Sequence, residues 1–94
     1  MDATEHERPP FGPWSPNCTD EHERARQLRS LATLVHVMRL AGACAPAATV
    51  TALREAESGD ERALIHARRL FDLMPTLHQR RIISAFGAVT WGQR

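Results

Sequence analysis

Residues 58–75 read Ser-Gly-Asp-Glu-Arg-Ala-Leu-Ile-His-Ala-Arg-Arg-Leu-Phe-Asp-Leu-Met-Pro. Apolar side chains fall at Ala63, Leu64, Ala67, Leu70, Phe71 and Met74, the alternating three-and-four spacing that lines up one face of an α-helix. The strict alternation of a half-buried strand is absent. The stretch therefore predicts a helix over 59–73. The S-x-x-E spacing of Ser58 and Glu61, a capping box, opens it, and Pro75 ends it because a proline ring cannot continue the turn.

The same logic extends in both directions. Downstream, Thr76-Leu-His-Gln79 repeats the capping-box form and predicts a helix over 77–90, with Ile82, Ile83, Phe86 and Val89 inside and Gly87 permitting close approach. Upstream, Pro46 suits a first helical position and opens a helix to Glu57 that buries Val50, Leu53 and Ala47. Before that, Asp20, Glu21 and Glu23 lead into Arg24, Arg26 and Arg29, the charge order that complements a helix dipole. This helix runs over 20–41 and stops at Gly42. Leu28, Leu31, Leu34, Val35, Met38 and Ala41 fill its apolar face, widened by Val37 and Leu40. One small neighbour would not cover so broad a face, so it predicts a central helix or a self-association surface. No segment alternates with period two. The expectation is an all-α fold, a small bundle of four helices.

Residues 1–18 are different in kind. Four of the six prolines lie in Pro9–Pro16, within Arg-Pro-Pro-Phe-Gly-Pro-Trp-Ser-Pro. Such a segment favours extended, solvated backbone. It predicts a disordered or loosely docked arm ahead of a helical domain over 19–94, with Phe11 and Trp14 able to anchor it in a groove of this body or of a partner.

A net charge of +1 on 94 residues conceals a division. Residues 1–23 hold six acids against Arg8, whereas residues 24–94 hold eleven arginines against Glu55, Glu57, Asp60, Glu61 and Asp72. Lysine is absent, and the aromatics are limited to Phe11, Trp14, Phe71, Phe86 and Trp91. The core must come from aliphatic residues and small alanines, so tight packing or self-association is expected to compensate. No apolar run approaches the roughly 20 residues needed to span a bilayer. The acidic start does not resemble a secretory signal, and the expected location is the cytoplasm.

Composition also narrows the chemistry. Without lysine there is no Schiff-base nucleophile, and no Gly-rich phosphate loop or nucleophile elbow occurs. Cys18 and Cys44 flank the first helix, which at about 1.5 Å per residue holds them roughly 33 Å apart, beyond a disulfide or a shared zinc. His36, His66 and His78 read as surface or boundary residues. No metal, no cofactor and no enzymatic activity are expected. The arginines are more suggestive. If the helices over 59–73 and 77–90 pack antiparallel, Arg68, Arg69, Arg80 and Arg81 share one corner, with Arg62 on the same side of its helix as Arg69. That corner would suit carboxylates or phosphates.

Thr33-Leu-Val-His-Val-Met-Arg-Leu-Ala-Gly42 followed by Ala48-Thr-Val-Thr-Ala-Leu53 resembles the helix-turn-helix of lac-repressor-family regulators over about 21 residues. The resemblance implies a DNA-reading helix with Ala47, Ala48, Thr49, Thr51 and Arg54 at its recognition positions. Three departures accompany it. The turn is longer by about two residues in a motif whose turn sets the interhelix angle. The first helix continues upstream to residue 20, and the recognition positions are poor in the forked side chains that read base edges. The sequence as a whole predicts a non-catalytic regulatory or adaptor protein that binds a protein partner and self-associates. Its surfaces would be the apolar face of the first helix, the arginines and the Phe11–Trp14 arm. The alternative is a small nucleic-acid-binding regulator whose acidic arm competes for the same arginines.

Overall fold

A computed structural model of the chain describes residues 11–42 and 45–90, with residues 89 and 90 described by their backbone only. After a single 3-10 turn at Gly12–Trp14 come four helices: α1 (Glu21–Leu40), α2 (Ala47–Glu57), α3 (Glu61–Asp72) and α4 (Thr76–Thr90). The protein is an all-α bundle, and no strand occurs among the described residues.

Capping explains where the helices begin. Asp20 accepts the backbone N–H of His22 at 2.9 Å and starts α1. At α3 the cap is Asp60, whose Oδ1 accepts from Arg62 N at 3.0 Å and Ala63 N at 3.2 Å. Ser58 instead donates its hydroxyl to the Glu55 carbonyl, so α3 starts at Glu61, two residues later than the S-x-x-E spacing suggests. Gly59, at φ +104°, reverses the chain between α2 and α3 in a conformation that side-chain-bearing residues rarely adopt. Gln79 also acts differently from a capping-box residue. Its amide donates to the carbonyls of Asp72 (3.2 Å) and Met74 (2.7 Å), closing the end of α3 and tying α4 to it.

The helices pair as α1 with α2, α2 with α3, and α4 with α1. The start of α1 lies beside the end of α2 and the start of α3, so α1 and α2 run antiparallel. Most of the core is the one the periodicity marks out, but Ile83 and Ala41, expected inside, are exposed, and Leu34 and Met38 are only half-buried. Leu28, Leu31, Ala32 and Val35 come from α1, and Ala52, Leu53 and Ala56 from α2. Ala63, Ala67 and Phe71 come from α3, followed by Met74, and Ile82 and Phe86 come from α4. Val50 is only half-buried and Ala47 is exposed, because α2 turns Thr49 and Ala52 inward instead. Beyond the core, the far edge of α1 stays open: Val37 and Leu40 are exposed. The expected burial of Val89 lies outside the described residues, as do Cys44 and residues 1–10.

The fourth seam of the bundle is unusual. Although α3 and α4 are consecutive, their aromatic side chains meet through the arm. The Phe11 ring lies 5.4 Å from Phe71 of α3 and 5.9 Å from Phe86 of α4. Trp14 packs edge-on against Phe11 at 5.3 Å and donates its indole N–H to the Leu64 carbonyl at 2.9 Å. Gly12 presses so closely on Phe86 that only a residue without a Cβ fits there. From α1, Arg24 donates to the carbonyls of Pro13 and Cys18 and holds the segment from the other side. The described part of the arm therefore docks on the chain's own body as a wedge.

Candidate functional site

The arginines separate into interior and exterior groups. Arg68 turns inward, where its guanidinium lies 5.4 Å from the centroids of both the Phe11 and Trp14 rings. Its Nε meets the Asp72 carboxylate at 3.2 Å, one helical turn away on α3. Both side chains are largely buried, at 18 and 16% exposed. A planar cation stacked on two rings and paired with a carboxylate is committed to holding the wedge. Phe11 and Trp14 are likewise engaged in that packing, half-buried against the core.

Arg69, Arg80 and Arg81 remain exposed. Arg69 stands one turn before Leu73 on α3, while Arg80 and Arg81 stand one turn after Leu77 on α4, spacings that share a helix face. Leu73 and Leu77 flank the Pro75 turn and are 72 and 56% exposed. Each helix thus carries a short stripe with its apolar tip nearest the turn and its basic base one helical turn away, and Gln79 ties α4 to the carbonyls at the end of α3. Arg62 is elsewhere. It shares a face of α3 with Arg69, but seven residues of helix place it about 10 Å away along the axis, in the first turn after the Asp60 cap. The corner expected from the sequence, four arginines brought together by direct α3–α4 packing, becomes three exposed arginines around the turn and one buried in the seam.

The opposite end is acidic. Asp20, Glu21, Glu23, Glu55, Glu57, Asp60 and Glu61 all lie at the start of α1 or around the α2–α3 turn. A cleft of about 380 Å³ opens between them, with Ala25 and Leu28 among its apolar lining and Glu21, Glu57 and Asp60 among its charged lining. Arginines balance part of this charge. Arg29 bridges α1 to α2 by pairing with Glu57 at 2.9 Å, and Arg26 pairs with Glu23 within α1. The hydrogen bond from Arg26, reinforced by the Gln27 amide, holds the Glu23 carboxyl below the usual carboxylate range.

Cys18 is a buried free thiol, and no group of three or more His, Cys, Asp or Glu side chains among the described residues is placed to hold a metal ion. Of the recognition positions that the helix-turn-helix resemblance implies, Thr49 is wholly buried in the core and cannot reach a base edge, whereas Ala47, Ala48, Thr51 and Arg54 are exposed. No described helix is long and apolar enough to cross a membrane. Comparison with protein-family models, with curated proteins and with solved structures yields no match.

The sequence does not disclose three residues that matter. The roles of Gly12, Arg24 and Gln79 are set by contacts across helix boundaries, and only the arm's aromatics hint at the first two.

Proposed function

We propose that this protein is a non-catalytic binding module that engages an acidic protein surface through the basic, leucine-tipped end formed by α3 and α4. The observation that carries this reading is the exposure of Leu73 and Leu77, each one helical turn from exposed arginines, Arg69 on α3 and Arg80 and Arg81 on α4. Phosphate recognition needs only cations. Two large apolar side chains held in water beside those cations are a cost unless a partner covers them, and apolar anchors within a charged surround mark protein interfaces. The matching partner surface carries carboxylates around a small apolar depression.

Selection of displayed peptides on the full chain, with counter-selection on a variant carrying Leu73→Ser, Leu77→Ser, Arg80→Glu and Arg81→Glu, tests the proposal. Enrichment of acidic peptides with one or two large apolar residues is the expected result. Arg80→Glu with Arg81→Glu alone should weaken their binding while leaving helix content intact, since both side chains are exposed. Binding to random-sequence duplex DNA with a steep, log-linear fall in salt would replace this reading with the nucleic-acid one.

A further inference from the structure

We infer that the seam between α3 and α4 is a binding groove for an aromatic pair spaced three residues apart, and that its occupant in trans is the Phe11–Trp14 segment of a second copy of this chain.

The groove has its own walls. Phe71 and Leu64 come from α3, Phe86 comes from α4, and Arg68 lies over the occupant's rings. None of these residues belongs to the arm. The occupant enters as a short linear ligand would, through two aromatic anchors on one 3-10 turn, an indole N–H given to a main-chain carbonyl, and a glycine where the groove is narrowest. Recognition of this kind depends on the segment and not on which chain supplies it. An arm from a second copy makes the same contacts, so the cis and trans forms differ only in the linker and in concentration.

The linker permits the exchange. The chain leaves the 3-10 turn at Ser15 in an extended conformation (φ −71°, ψ 138°) and enters α1 at Asp20, also extended (φ −87°, ψ 122°). Neither residue is strained, and Pro16, Asn17 and Thr19 between them are exposed, so re-aiming the segment costs the burial of Cys18, its bond to the Ser15 carbonyl and its tie to Arg24. Besides the indole hydrogen bond, Arg24 ties the described part of the arm to the body through two main-chain carbonyls. Docking also buries Gly12, Pro13 and Cys18 between and beside the half-buried rings, so exchange requires the whole segment to lift out as one unit. A short tether gives the cis arm an effective concentration on the order of millimolar. The wild-type chain is therefore expected to be closed on itself in dilute solution. Exchange is expected when the cis arm is disabled or the chain is refolded at high concentration.

The test uses a tagged full-length acceptor carrying Phe11→Ala and Trp14→Ala, which leaves the groove walls intact. A fluorophore-labelled peptide of residues 11–19 should bind it saturably, and bind the wild-type chain at least about tenfold more weakly because the cis arm competes. If the acceptor loses helix content, the same peptide should restore its far-ultraviolet circular dichroism, and Trp14→Ala alone provides a milder acceptor. After co-refolding, the tagged acceptor should capture untagged wild-type chain and fail to capture an untagged copy of itself. A peptide that neither binds nor restores helicity overturns the groove. Peptide binding without capture of the wild-type chain overturns the second copy as occupant. Equal capture of both untagged chains shows association through another surface and overturns the proposal as well. These readouts do not depend on Leu73, Leu77, Arg80 or Arg81, so they stand apart from the preceding reading.

Discussion

Replacing Gly12 by alanine tests the wedge most directly. Gly12 sits at φ +53°, and an alanine there carries the left-handed penalty of about 1–2 kcal/mol. A second penalty is steric. The added Cβ would lie 2.7 Å from Cε2 and 3.0 Å from Cζ of Phe86, a ring that is fully buried and already faces Phe11. Forcing an extra methyl into a packed core costs about 1–3 kcal/mol. The combined loss, about 2–5 kcal/mol, would lower the melting temperature of a chain this size by about 10 °C or more. One physical limit applies: the arm can let go. Once the strain exceeds the free energy of docking, the segment detaches and the helices keep the rest of their stability. Urea unfolding followed by helical circular dichroism and by Trp14 emission, in a Trp91→Phe background, separates the two outcomes. Strain held in the core moves both transitions together, whereas release of the arm shifts Trp14 emission to the red before the helices melt. Gly59→Ala is the control, because Gly59 has φ +104° with no atom near the added Cβ, leaving backbone strain alone. If Gly12→Ala proved no more costly than Gly59→Ala and left Trp14 emission unchanged, the arm would not be seated against Phe86.

Other substitutions test separate parts of the architecture. Asp60→Ala removes the acceptor for two backbone N–H groups and should cost about 1 kcal/mol in urea denaturation, while Ser58→Ala should cost little; the reverse order would restore Ser58 as the cap. Arg68→Lys keeps the charge but loses the planar face stacked on Phe11 and Trp14, and a loss of about 1–2 kcal/mol with altered Trp14 emission is expected. Glu23 is depressed below its ordinary value of 4.5 by Arg26 and Gln27, so its contribution is present above that value and fades as pH falls through the lower folded one. The urea midpoint of Glu23→Gln should accordingly lie below that of the wild type near about pH 7, and the gap should close near about pH 3. A gap that widened in acid would reverse the sign of the linkage.

What the sequence discloses depends on how far each contact reaches along the chain. The stripe of α3 is legible because Ala63, Ala67, Phe71 and Met74 are neighbours through the helix itself, and all four are buried. The N-terminus of that helix is harder to read. Ser58 and Asp60 can both cap, and the choice falls to Asp60 once Gly59 takes its positive φ and turns the chain. Gln79 matches a capping-box spacing but spends its amide on carbonyls across the turn, where a tertiary geometry offers it two acceptors. Arg68 shows the limit most clearly. Periodicity places it on the flank of α3 among solvated arginines, yet its stacking partners lie in the arm at the far end of the sequence. The arginine corner presupposes that consecutive helices touch. The aromatic rings of the arm stand in that seam, so Arg68 turns in and Arg80 and Arg81 stay out.

The wedge also imposes an order on the making of the molecule. Trp14 and the Leu64 carbonyl it binds are 50 residues apart, and Phe86 lies farther along still. On a ribosome, where chains emerge from the N-terminus at about 5–20 residues per second, α1 and α2 can pair while the site for Phe11 does not yet exist. Phe11 and Trp14 are thus synthesised well before the residues that bury them. During that interval the nascent chain presents two bare rings to whatever is near, including the finished grooves of neighbouring copies on the same message.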